Sequence, residues 1–199
     1  MLTLLLATNQ PGKLKEFKDI LKTFKLKMVF LNNLNKKFKE PQENGKTLSK
    51  NAFIKAQYYG EKTKLLTLAD DTGLFVKTLP NKLGIKTKRY HSGSDKDRRQ
   101  KLLKELKNIP FPKRQAVFKT AVCLYNPKTK KSITRIGTCP GKISLKEIGG
   151  QGFGYDSIFI VKEKNKTFSE LSLKEKNKLS HRAKALKKLK PHLKKYEKS

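Results

Sequence analysis

The sequence predicts an α/β fold, a central mixed β-sheet flanked by helices. Three observations predict it. Apolar runs of strand length alternate with helical patterns through the first seventy residues. Two β-type runs later in the chain are joined by a hairpin turn, which a purely parallel sheet would lack. A capped basic helix closes the chain. With 199 residues the chain can bury a sizeable core without staples. One domain over 1–199 is expected, with a basic helical C-terminus from about 173 to 199.

Residues 2–7, "LTLLLA", read as a buried strand, and the turn-forming cluster "TNQPGK" follows. From Leu14 the apolar residues Leu14, Phe17, Leu21 and Phe24 recur at helical spacing. A second strand covers 27–31. Residues 32–48 are polar and irregular, with Pro41 and Gly45. A helix follows in which Ala52, Phe53, Ala56 and Tyr59 form one face. The run "LLTLA", 65–69, is a strand that ends at the acidic pair Asp70 and Asp71. An extended loop at 77–94 precedes a basic helix at 95–109, with Leu102, Leu103, Leu106 and Ile109 facing inward. Next come "QAVFKTAVCLYN" and "KSITRIGTC", joined at Asn126, Pro127 and Lys128. The Gly-rich "GGQGFGYD" leads into the strand "SIFIV". Ser172 and Glu175 then form a capping box that opens one long helix, kinked or interrupted at Pro191.

The charge balance is extreme: 48 Lys plus Arg against 16 Asp plus Glu, a formal net charge of +32. Only six of the basic residues are arginine, and the lysines are spread along the whole chain. Bidentate phosphate clamps and base readers favour Arg. The pattern therefore suits a solvated surface better than a dedicated nucleic-acid face, although it would draw an anionic substrate to any cleft. A basic nucleic-acid-binding module without catalysis is the alternative from another class. Cys123 and Cys139 lack metal-ligand spacing and any disulfide framework, so a reduced, cytoplasmic setting is expected. The first apolar run is too short to span a membrane, and no basic region precedes it.

Several stretches could carry chemistry. In "ATNQPGK" a strand gives way to a helix whose free N–H groups favour anions. Lys13 adds a cation there, and Thr8 and Asn9 add polar side chains. An ordinary strand–turn–helix connection has the same pattern. Asp70 and Asp71 are scarce acids at the end of an apolar run. Side chains alternate along a strand, so the two would do different jobs. One could bind a divalent metal or activate water, and the plain alternative is an Asp–Gly turn. Glu43, with Glu40 close by, is a third carboxylate candidate. In the Gly-rich stretch, Phe153 and Tyr155 could stack on a base and Asp156 could accept hydrogen bonds, or the aromatics could simply fill the core. Lys176, His181 and Arg182 cluster near a helix start, with no Ser or Cys nucleophile spaced for a triad.

Taken in order, "LATNQPGKLKEF", "ADDTGLFV", "GIKTKRY", "GQGFGYDSIF" and "EKNKLSHRAKAL" resemble the inosine triphosphate pyrophosphatase family. The resemblance runs from Leu6 to about Leu186. It implies Mg²⁺-dependent hydrolysis of ITP, dITP or XTP between the α- and β-phosphates, which cleanses the nucleotide pool. It also implies an elongated, two-lobed shape with a cleft between the lobes, and a homodimer. Carried over by position, Thr8, Asn9 and Lys13 would hold the phosphates. Asp71 would be the general base and a metal ligand, helped by Glu43. Thr72 stands where the family usually has Ser and keeps the hydroxyl. Phe153, Gly154, Tyr155 and Asp156 would line the nucleoside pocket, and Lys176, His181 and Arg182 would contact the substrate. The stretches "PNKLG", Lys86–Arg89 and Ser157 depart from the family pattern.

Overall fold

The computed structural model describes residues 2–34 and 38–197. Among the described residues, seven strands pair in the order β2-β1-β3-β4-β5-β6-β7. β1 (Thr3–Leu6) lies parallel to both β2 (Lys27–Phe30) and β3 (Leu66–Val76), with Leu4 opposite Met28 and Leu66. β4 (Gln115–Asn126) and β5 (Lys131–Ile143) follow. β5 pairs antiparallel with β6 (Phe159–Val161), and β6 antiparallel with β7 (Lys166–Thr167). The sheet is mixed, as the sequence predicts. Helices α1 (Pro11–Leu21), α2 (Leu48–Thr63), α3 (Asp95–Glu105), α4 (Leu173–Leu179) and α5 (His181–Lys194) complete the α/β fold. Among the described residues, no helix is long and apolar enough to cross a membrane.

The chain divides into two compact units. The first comprises residues 1–71, 120–137 and 182–199, and the second residues 72–119 and 138–181. Each has its own core. In the first, Leu4 and Leu6 of β1 pack with Phe17 and Leu21 of α1 and with Leu186 and Leu189 of α5. Those spacings are the strand period of two and the helix period near 3.6 that bring apolar side chains to one face. In the second, Leu102 and Leu106 from the α3 segment pack with Phe118, Ile143, Phe159 and Phe168.

Most elements lie where periodicity puts them, and five expectations are corrected. β3 does not end at Asp70 and Asp71 but continues to Val76. Gly73 is not a turn residue: a Cβ there would meet the Gly84 carbonyl oxygen at 2.4 Å, so glycine permits the Leu74–Gly84 bridge beside it. The single C-terminal helix is two helices. Ser172 and Glu175 do form the capping box, worth about 1 kcal/mol. Ser180 then turns extended, and its N–H closes on the Lys176 carbonyl, ending α4. Pro191 lies inside α5 and does not interrupt it. The basic helix expected over 95–109 stops at Glu105, with Leu106 as its C-cap. Asn126 does build the hairpin turn, its Oδ1 accepting from the Lys128 N–H. Of the irregular stretch at 32–48, residues 35–37 lie outside the described residues, as do 198 and 199 of the basic C-terminus.

Candidate active site

In the first unit, β1 delivers the turn Ala7–Gln10, and α1 begins at Pro11, whose missing N–H costs nothing at that position. The Thr8 hydroxyl accepts from the Gln10 N–H, and the Asn9 amide donates to Glu40 at 3.4 Å. Lys13, in the first turn of α1, reaches Asp70, with its Nζ 3.1 Å from Oδ1 and 3.0 Å from Oδ2.

Asp70 is the hub of a buried ion network. Its Oδ2 also accepts from Arg182 Nε at 3.3 Å and Nη2 at 3.1 Å. Arg182, only 1% exposed, donates through Nη1 to Glu16 as well, and its guanidinium lies over the Phe17 ring. Burial alone would raise the Asp70 carboxyl, but Lys13, Arg182 and Lys55 outweigh it and hold it well below the ordinary carboxylate range. Burial pushes the Lys13 ammonium down, despite Asp70, and the charges of Lys55 and Arg182 add to that.

Asp71 behaves in the opposite sense. Strand alternation turns it away from its neighbour, and its Oδ2 accepts from Asn51 Nδ2 at 3.1 Å. Burial raises its carboxyl above the ordinary value, and the Glu43 charge adds to the rise; Lys55, Asn51 and Lys13 pull the other way without cancelling it. The two neighbouring carboxyls therefore titrate in opposite senses, Asp70 held low by the cations around it and Asp71 raised by burial.

Glu43 and Lys55 form an ion pair at 2.8 Å, and Lys55 Nζ also donates to the Asp70 carbonyl oxygen at 3.0 Å. Among the described residues, no group of three or more His, Cys, Asp or Glu side chains could hold a metal. Two carboxylates remain, Asp71 and Glu43, and the Glu43 charge is felt at Asp71. That donor set fits Mg²⁺, which takes one or two protein carboxylates and completes its shell with phosphates and water.

The second unit gathers most of the remaining candidates. Phe153, Gly154 and Tyr155 form a turn in which Gly152 and Gly154 have φ of +94° and +60°. Asp156 Oδ2 accepts from the Phe153 N–H at 2.9 Å and from Lys176 Nζ at 2.6 Å, and that ammonium lies 4.8 Å from the Phe153 ring centroid. The Tyr155 hydroxyl donates to the Thr87 carbonyl. The His181 ring stacks on Phe118, with centroids 4.6 Å apart and planes 12° from parallel. Thr72 follows Asp71 on β3 and is half-buried.

The structure thus brings Lys13, Asp70, Asp71, Glu43 and Arg182 together in one unit, and Phe153 through Asp156 with Lys176 and His181 in the other. The adjacent residues His181 and Arg182 serve different units. Four residues of the first site escaped the sequence reading: Glu16, Asn51, Lys55 and Thr120. Asn51 and Lys55 lie four apart, so α2 presents them on one side. A polar pair at that spacing beside the Ala52–Ala56 stripe was the available signal. Thr120, whose hydroxyl donates to the Asp71 carbonyl at 2.9 Å, sits in an apolar strand run and gave none.

Residues 4–192 match the model of the Ham1 family. A dITP/XTP pyrophosphatase from Haemophilus influenzae is 42% identical over 193 residues, covering 96% of this chain and 98% of its own. One from Caldanaerobacter subterraneus is 39% identical over 196 residues, covering 97% and 96%. Among solved structures, a HAM1 protein from Coxiella burnetii superposes with a TM-score of 0.85 at 33% identity, covering 98% of this chain and 100% of its own.

Proposed function

Since this chain belongs to the Ham1 family, we propose that it hydrolyses deaminated purine nucleoside triphosphates, ITP, dITP and XTP, to the monophosphate and pyrophosphate. The names of its relatives support the substrate class. The observation that carries the reading is the split between Asp70 and Asp71: one acid fixes the Lys13 ammonium, and the next keeps a proton-accepting carboxylate beside Glu43 and Lys55.

Water is the nucleophile. Asp71 orients it and accepts its proton as the oxygen bonds to the α-phosphorus. The bond from that phosphorus to the α–β bridging oxygen breaks, and pyrophosphate leaves with the electron pair. Lys13, Thr8, Asn9 and the N–H groups at the start of α1 hold the phosphates, where positioning and charge stabilisation supply most of the catalysis. Asp71 and Glu43 would hold Mg²⁺, which would supply charge neutralisation and acidify a bound water. Arg182 acts on the phosphate side, through Asp70 and Glu16. For the purine, Phe153 offers an aromatic face, Tyr155 anchors the turn from the core of the second unit, Asp156 and Lys176 hold the turn, and His181 or a backbone N–H donates to O6. Adenine presents an amino group there and would leave that donor unsatisfied. Thr72 keeps a hydroxyl next to the general base. The two cysteines are buried and not joined in a disulfide, which suits a cytoplasmic enzyme, and the family resemblance suggests a homodimer.

A panel of ITP, dITP, XTP, GTP and ATP, assayed for pyrophosphate release with and without Mg²⁺, tests the assignment. Release from the first three, dependent on Mg²⁺, is expected. No release, together with tight, salt-sensitive binding to nucleic acid, would replace the enzyme with a basic binding module.

Asn51→Leu tests the Asp71 environment. The Asn51 hydrogen bond favours the charged carboxylate, so its removal raises an already raised pKa. Activity depends on the ionised base, so the acid limb of the kcat profile moves to higher pH. A limb that stays or moves to lower pH contradicts the role of Asn51.

A further inference from the structure

The turn assigned to the purine is held by a helix that has no role so far. α3 opens on a capping box in which the Ser94 side chain accepts from the Asp97 N–H and Asp97 answers to the Ser94 N–H. Asp95 and Arg99 follow at a spacing of four, so they project from one side of α3. Asp95 Oδ2 accepts from the Gly154 N–H at 2.8 Å. Arg99 Nη1 donates to the Gly154 carbonyl at 2.9 Å. The donor and the acceptor of one glycine are thus both gripped by one helix.

The grip is braced at each end. Arg99 Nε donates to Glu147 Oε2 at 2.8 Å, and the same oxygen accepts from the Ser157 hydroxyl at 3.0 Å. Asp95 Oδ1 pairs with Arg98 at 2.7 Å. Gly154 needs such holding. It has φ +60° and no side chain, and a Cβ built on it would meet nothing within 4 Å, so the space on its side-chain side is open. On either side the chain is anchored by other groups, the Phe153 N–H on Asp156 and the Tyr155 hydroxyl on Thr87.

We propose that Asp95 and Arg99 are positioning residues that clamp Gly154, fix the angle of the Phe153 ring toward the purine, and so set nucleobase affinity and discrimination without touching the substrate. This rests on the assignment of Phe153 to the purine. A stacked base gains its full contact only against a ring held at one angle. Loosening the turn weakens that contact and admits purines of other outline, guanine with its 2-amino group among them.

The test uses Asp95→Ala, Arg99→Ala and the conservative Asp95→Asn and Arg99→Lys. Asn keeps an oxygen for the Gly154 N–H, whereas the single Lys ammonium cannot serve Glu147 and Gly154 as the guanidinium does. Calorimetric binding of IMP, the unreactive product, reads the clamp apart from turnover. Each Ala variant is expected to bind IMP about tenfold more weakly, because ordering the freed turn on binding then costs about as much as the charge-assisted hydrogen bond that held it. Asp95→Asn should recover most of that affinity, and Arg99→Lys should fall between. In pyrophosphate release, KM for dITP rises by a similar factor with kcat within about twofold, and the dITP preference over GTP narrows. Unchanged IMP affinity in the Ala variants, or a loss confined to kcat, overturns the clamp, as does wild-type protein that binds no IMP. If an Ala variant fails to fold, Arg99→Lys decides, and wild-type affinity in it overturns the clamp. Wild-type protein that binds IMP but releases no pyrophosphate from dITP or XTP overturns the proposed function instead, and the IMP titrations still judge the clamp.

Discussion

Asp71→Asn is expected to lower kcat for dITP by about three orders of magnitude, the middle of the range for a lost general base. The amide matches the carboxylate in shape, and its oxygen can still accept from Asn51 Nδ2. It cannot take a proton from water, and it is a poorer Mg²⁺ ligand. The fold should survive. The wild-type carboxyl lies 9% exposed and is raised above its ordinary value, so burying its charge already opposes folding. The melting temperature should therefore hold or rise slightly. Full activity in a folded Asp71→Asn protein would remove Asp71 from the mechanism.

Asp70→Asn is expected to act on stability far more than its neighbour does. The substitution leaves the ammonium of Lys13 and the guanidinium of Arg182 facing a neutral amide. Stripping one partner from a buried charge network costs about 3–5 kcal/mol, measurable by urea denaturation at pH 7. The pH dependence identifies the cause. The Asp70 carboxyl is held below its ordinary range in the folded protein, so its contribution is fully present above the unfolded pKa. It fades as pH falls toward the folded value. The gap between wild type and variant should accordingly shrink in acid. A gap that is small at neutral pH, or constant with pH, would show that the network does not depend on that charge.

The fold was largely legible, because burial follows the two hydrophobic periods. Leu4 and Leu6 alternate into one core, and Leu186 and Leu189 recur at helical spacing into the same core. What escaped were backbone decisions made by partners distant in sequence. Asp70, Asp71 and Gly73 read locally as the end of a strand. Pairing within the sheet and the close approach of Gly84 carry β3 on to Val76. Ser180 breaks the last helical stretch with neither Gly nor Pro to announce it. The candidate site was legible in its motifs and not in its connections. Strand alternation correctly gave Asp70 and Asp71 separate surroundings. It could not show that Glu16, two positions past Leu14, is buried against Arg182, 166 residues away in the chain. Nor could it show that Lys55 answers Glu43. Charged residues on amphipathic helices are usually solvated, and the sequence alone carries no mark of the few that are buried.

Hydrolysis of dITP in water enriched in ¹⁸O tests the central claim most directly, because it asks which phosphorus the attacking water meets. Attack at the α-phosphorus places the label in the monophosphate and leaves the released pyrophosphate unlabelled. Label in the pyrophosphate, or release of orthophosphate, would contradict the proposed placement of water, Asp71 and the phosphates held by Lys13.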